Sequence, residues 1–191
     1  MIKRIIYSLF FVISCSQNTT IPISIYTELG PIVLDLYPDK APITVNNFLK
    51  YIDENRYGDF HFYRVVHLEN QPQNDIKIEV IQGGLGFNEH NQKLESITHE
   101  TTEVTKIRHL NGTISMARME PGTASSEIFI CINDQPELDF KGLRNPDGYG
   151  FAAFGRVRSG MDIIKRIQTM PSIEQILNNS VKVDSIFRNY Q

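Results

Sequence analysis

The chain has 191 residues, 41% hydrophobic and 21% charged, with 12 glycines and 9 prolines, an ordinary composition long enough for one domain with a substantial core. The formal net charge is −3 and no basic block occurs, which excludes a nucleic-acid binder that works through clustered Lys and Arg. Beyond the N-terminus no apolar run reaches the ~18 residues of a membrane-spanning helix.

The first residues read as a targeting segment. Lys3 and Arg4 precede a nine-residue apolar run, 5–13, broken only by Ser8. That run is too short to span a bilayer and carries the charge of a secretory signal at its start. The ending Val12-Ile13-Ser14-Cys15 resembles a bacterial lipobox, with Val12 in place of the more usual Leu. The expected layout is a signal peptide over 1–14, a lipidated Cys15 leading a short linker to residue 20, and one domain over 21–191. Lipid on Cys15 would tether the domain to a membrane surface without spanning it. Cys131 is then the one remaining thiol, so no internal disulfide forms and stability comes from the core. Within Ile128-Phe129-Ile130-Cys131-Ile132 it reads as a small buried hydrophobe.

Two alternating stretches around Glu28-Leu29-Gly30-Pro31 predict a β-hairpin. Val45, Phe48, Leu49 and Ile52 recur at helical spacing, with Asp39 or Thr44 available as cap and Pro42 suited to the first turn. Strands are predicted over 62–68 and 76–82, joined by a polar turn. The segment 83–109 reads as a long functional loop with one short strand near 95–98. Strands resume over 112–117, 128–132 and 151–157. A helix over 160–169 carries Met161, Ile163, Ile164 and Ile167, and 181–187 alternates as a closing strand. About eight short strands and two helices imply a mainly β, closed or nearly closed barrel.

One oddity organises the site. Arg64 sits inside the apolar run Phe62-Tyr63-Arg64-Val65-Val66, and an arginine is costly to bury unless it is paired or functional. A second strand-like run ends in Gln82-Gly83-Gly84. Arg64 and Gln82 are expected to meet as the polar half of a site, against the plainer reading of an ion pair from Arg64 to Glu79 or Glu127. The histidines His61, His67, His90, His99 and His109 show no ligand spacing of the His-Glu-x-x-His kind, so no metal is expected. Gly83-Gly84-Leu85-Gly86 lacks the Gly-Lys-Ser/Thr ending of a phosphate loop.

These motifs together resemble the cyclophilins, peptidyl-prolyl cis–trans isomerases. Gly30-Pro31-Ile32-Val33-Leu34-Asp35-Leu36-Tyr37, Ala41-Pro42-Ile43-Thr44-Val45-Asn46-Asn47-Phe48 and Phe62-Tyr63-Arg64-Val65-Val66 come first. Gln82-Gly83-Gly84, Gly112-Thr113-Ile114-Ser115-Met116-Ala117 and Ser126-Glu127-Ile128-Phe129-Ile130 follow in order. Leu138-Asp139, Phe154-Gly155-Arg156-Val157 and Gly160-Met161-Asp162 complete the set. The resemblance implies a cyclophilin-like closed eight-stranded antiparallel barrel capped by two helices, with its site on the outer face. It implies Arg64 and Gln82 as catalytic residues. Val80, Ala117, Arg118, Glu127, Phe129, Leu138 and Phe151 are implied as substrate-binding residues, with Phe129 and Leu138 lining a proline pocket. It implies an enzyme without cofactor that acts on proline-containing polypeptides; with the targeting segment, a monomer that assists the folding of exported proteins and faces the periplasm or cell exterior is expected.

Rotation about an X–Pro bond faces a barrier of roughly 18–20 kcal/mol and breaks no bond, so no nucleophile is needed. A fixed guanidinium that donates to the prolyl nitrogen favours the twisted amide over the planar one. The sequence departs from the family at Glu79, which replaces a pocket phenylalanine, at Glu127 for Gln, at Ile128 for Phe and at Glu137 where Trp is frequent. Acidic pocket edges are expected to weaken cyclosporin-type inhibitors. The segments 65–81 and 140–150 are enlarged, as surface loops allow. Two other readings remain open: a non-catalytic peptide-binding or holdase module on the same fold, and a lipocalin-like carrier with its site inside the barrel.

Overall fold

The computed structural model describes residues 19–189; the proposed signal segment and Cys15 lie outside them. The hairpin forms as β1 (Ile21–Thr27) and β2 (Gly30–Leu36). Helix α1 (Pro42–Asp53), β3 (His61–Val66), β4 (Val80–Gly84) and the single turn α2 (Thr102–Thr105) follow. Then come β5 (Thr113–Met116), β6 (Ile128–Cys131), β7 (Ala152–Ser159) and α3 (Met161–Gln168). The two-residue β8 (Ser172–Ile173) and the long β9 (Ile176–Arg188) end the chain.

The strand order is β1-β2-β7-β5-β6-β4-β3-β9, and β9 returns to β1, which closes an eight-stranded barrel; β8 hangs on β9 outside the ring. Every pairing is antiparallel. Side chains alternate between faces along a strand. Ile23, Ile25, Leu34, Phe62, Ile81, Ile114, Ile130 and Val181 point inward and are fully buried in one core. The interior is packed with side chains, so a carrier site inside the barrel is ruled out. Helix α1 follows the end of β2 and sets Phe48 against Phe154 at the start of β7, 5.3 Å between ring centres. Helix α3 follows the end of β7 and buries Ile164 and Ile167, so the two helices close opposite ends.

Several expectations are corrected. Besides the two expected capping helices α1 and α3, the described residues form α2, one turn whose four residues carry no readable period. Neither Asp39 nor Thr44 caps α1. The buried Glu100 does so from the long loop, accepting from the amides of Ile43 (3.2 Å) and Thr44 (2.8 Å) and from the Thr44 hydroxyl (2.7 Å). No strand forms over 95–98. That stretch is held instead by Tyr51 Oη, which accepts from Leu94 N, and by Ser125 Oγ, which donates to Leu94 O. The strand expected over 76–82 begins only at Val80. The stretch before it is tied by buried Gln71, which donates to His67 O and Ile78 O. The closing strand starts five residues early, at Ile176, since exposed Asn178-Asn179-Ser180 interrupts its alternation.

Candidate active site

A β-bulge places the key residues. Phe62 pairs with Gly83 and Arg64 with Gln82, so Tyr63 is an extra residue in β3. Phe62 and Val65 both point into the core. The two residues between them, Tyr63 and Arg64, therefore share the outer face, as a bulge permits. Register then sets out a row across four strands: Arg64 beside Gln82, Gln82 beside Phe129, Phe129 beside Ser115.

The expected meeting of Arg64 and Gln82 is present. Arg64 Nη1 donates to Gln82 Oε1 at 2.6 Å. A residue not anticipated holds the other side: Gln175 Oε1 accepts from Arg64 Nε at 3.0 Å and from Nη2 at 2.5 Å. Gln175 lies in the β8–β9 turn, anchored by its Nε2 to Asn70 O and by its own carbonyl, which accepts from Val65 N. Of the five N–H groups of a guanidinium, these bonds use three and leave one on each terminal nitrogen. Neither Glu79 nor Glu127 forms an ion pair with Arg64. Burial, and then the nearby Arg144, pull its pKa below the usual arginine value; it stays charged.

The second layer orients the first. Glu127 Oε2 accepts from the Tyr63 hydroxyl at 2.5 Å, and Tyr63 Oη accepts from Gln82 Nε2 at 3.0 Å. A carboxylate can only accept, so Tyr63 must donate to it. Its oxygen then takes the Gln82 amide hydrogen, and Gln82 turns its carbonyl to Arg64. Burial first, and Glu127 second, push the Tyr63 pKa far upward, so the phenol keeps its proton. Glu127 Oε1 is also engaged, by Leu85 N (2.9 Å) and Ser126 Oγ (2.9 Å). Gly84 leaves room for this carboxylate: at φ +153°, a Cβ there would lie 2.5 Å from Glu127 Oε2.

Next to Arg64 the outer face turns apolar. Val66, Ile78, Val80, Phe129, Cys131 and Leu138 form a second buried cluster, with Ala117 and Phe151 against it. Phe129 and Phe151 meet edge to face at 5.3 Å. The cavity over them has a volume of about 690 Å³, within the range of small-ligand and peptide sites. Arg64, Gln82 and all seven residues expected to bind substrate line it. Cys131 is fully buried, and burial pushes its thiol pKa well up, as befits packing rather than chemistry.

Two residues line the cavity in unexpected ways. Glu127 contributes a carboxylate already committed within the protein. The Arg118 side chain has no exposed surface. It makes a two-point ion pair with Asp147, donates to Gly150 O and stacks on the Phe151 ring. It therefore buckles the 140–150 loop onto the end of β5, with no side-chain surface left exposed. Glu79 and Glu137 do not line the cavity. Glu79 accepts from Asn133 Nδ2 and Glu137 from Leu143 N, so the acidic edge expected from the sequence reduces to Glu127.

Beneath Phe129 lies His109, 1% exposed, its ring stacked on the phenyl at 5.8 Å. Its Nδ1 is 2.7 Å from Asp139 Oδ1 and its Nε2 is 3.0 Å from Ser115 Oγ. Burial pulls its pKa below the usual value, opposed by Asp139. The order Asp–His–Ser suggests an activated nucleophile, but Ser115 is fully buried and no substrate reaches it. The three residues pack behind Phe129, and none of them lines the cavity. Among the described residues, no group of acidic, His or Cys side chains could hold a metal.

Residues 22–187 match a family model described as cyclophilin type peptidyl-prolyl cis-trans isomerase/CLD. The chain is 34% identical over 148 residues to peptidyl-prolyl cis-trans isomerase cyp18 of Streptomyces antibioticus, covering 76% of this chain and 82% of that one. It is 33% identical to peptidyl-prolyl cis-trans isomerase B of Escherichia coli K12, covering 76% and 83%. A Cryptosporidium parvum cyclophilin-type isomerase, solved in the presence of the dipeptide Ala-Pro, superposes with a TM-score of 0.69 at 20% identity. That match covers 89% of this chain and 99% of the other.

Proposed function

This chain belongs to the cyclophilin-type peptidyl-prolyl cis–trans isomerases, and we propose that Arg64 is the group with which it turns X–Pro bonds. One observation carries this: the guanidinium is fixed between two amide oxygens, with hydrogens to spare, at the rim of an apolar pocket. The proline ring packs on Phe129, Leu138, Val80 and Phe151. The backbone at Ala117 and Arg118 binds the peptide before the ring. As the amide twists, its nitrogen regains a lone pair, and a free Arg64 N–H donates to it. A donor already held in place pays no reorganisation at that moment. The test is prolyl exchange on a short Ala–Pro peptide with residues 20–191 and with Arg64→Lys. Lysine keeps the charge but cannot be held as a planar fork, so a large loss is expected. Wild type no faster than buffer would sink the reading.

The site serves, in this reading, the folding of exported polypeptides. The protein works as a monomer, tethered through lipid on Cys15 to a membrane facing the periplasm or the cell exterior. The charged start, the nine-residue apolar run and the lipobox-like Val12-Ile13-Ser14-Cys15 support it. Incorporation of labelled palmitate, lost in Cys15→Ser, is the expected result; equal labelling of both would remove the anchor.

A further inference from the structure

The same cavity holds a second guanidinium that the isomerisation does not use. Arg144, from the enlarged 140–150 loop, lines the cavity together with Asn145, Ile78 and Val80. One of its nitrogens, Nη1, donates to Ile76 O. Among the described residues, no carboxylate lies within ion-pair distance of it, nor of Arg64. Burial alone lowers its pKa, and Arg144 in turn lowers that of Arg64, so two like charges share one enclosed space. Among the described residues, Glu127 is the one acidic side chain lining the cavity, and its carboxylate is taken by Tyr63, Leu85 N and Ser126. The other cations do not balance this. Arg118 is neutralised by Asp147, and Lys93 lies toward Gly86 and Asn88, whose carbonyls it binds. A chain of net charge −3 thus presents a cationic cavity.

A half-buried arginine without a counter-ion is an unfilled site for a planar anion. We propose that Arg144 selects peptides carrying an aspartate or glutamate next to the proline. The ring sits on Phe129 and Leu138, and the neighbouring residue reaches Arg144, which is held by the Ile76 carbonyl. This rests on the cavity being the isomerase site. The gain comes from substrate binding, so Arg144 is a specificity residue.

The test compares exchange rates of matched peptides with Glu, Gln or Lys immediately before or immediately after proline, scored as ratios within each enzyme. Wild type is expected to favour Glu over Gln about fivefold at one flank, the scale of a partly screened ion pair of about 1 kcal/mol, and less at high salt. Arg144→Gln brings the ratio to about one, and Arg144→Glu inverts it in favour of Lys. A merely structural Arg144 cannot produce that inversion. Ratios near one at both flanks in wild type overturn the proposal. So does a Glu preference that survives in Arg144→Gln, which would belong to another cation of the cavity, Lys93 or Arg64. Arg64→Ala turning over every peptide at the wild-type rate would instead remove the cavity as the reaction site, and the role of Arg144 with it.

Discussion

The Tyr63 hydroxyl donates to the Glu127 carboxylate at 2.5 Å and accepts from the Gln82 amide, which braces Gln82 with its carbonyl on Arg64. Glu127 is thus a positioning residue acting at two removes. Tyr63→Phe and Glu127→Gln are each expected to lower kcat/KM about tenfold, the worth of one oriented hydrogen bond of roughly 1.4 kcal/mol. The fall should lie in kcat more than in KM. The double variant should be scarcely worse than either single one, because both break the same chain. Additive losses would contradict it.

Gln175 shares the holding of Arg64 with Gln82. Gln175→Ala frees two guanidinium hydrogens and lets the fork swing. A loss of about tenfold in kcat/KM is expected, with thermal stability close to that of wild type, since the residue sits in a surface turn. A double-mutant cycle with Gln82→Ala should show coupling. Its absence would mean that Gln82 alone fixes the arginine.

Glu100 caps α1 across 56 residues of sequence. Glu100→Ala leaves the buried amide and hydroxyl of Thr44 and the amide of Ile43 unpaired, at a cost of about 2 kcal/mol. In a domain of this size that lowers Tm by roughly 4–8 °C. Chemical denaturation gives the energy directly; a change below about 0.5 kcal/mol would show that another group takes over the cap.

The pH dependence follows from His109 and His99, whose pKa values burial pulls below the unfolded value. At pH below about 6.5 the unfolded chain takes up protons that these folded sites refuse. Unfolding is then favoured, and stability falls as pH drops until the folded pKa values are passed. Above about 6.5 neither residue contributes any slope. Denaturation midpoints across pH 4.5–8, with His109→Gln, give the test. The variant should flatten part of the acid limb; an unchanged limb would exclude His109 as its source.

The barrel was readable because strand alternation and helix spacing are local. So was Arg64, since a charge inside an apolar run stands out in one dimension. What escaped depended on the third. Gln175 lies 111 residues from Arg64 in a turn with no pattern of its own. Tyr63 shares the outer face with Arg64 only because of the bulge between Phe62 and Arg64. Arg144 lies in a segment read only as extra loop. Glu127 was identified as a cavity residue, but its carboxylate is directed into the protein by partners that no spacing rule reveals. Arg118 has the same history: the position is in the groove, yet Asp147 and Phe151 withdraw its side chain.

The central claim is that a pre-held Arg64 stabilises the twisted X–Pro amide. Line-shape or exchange measurements on an Ala–Pro peptide, comparing wild type with a folded Arg64→Ala protein, test it most directly. The account predicts a loss of about 10²–10³ in catalysed rate, the cost of removing a transition-state donor. Exchange at the wild-type rate in Arg64→Ala would contradict it.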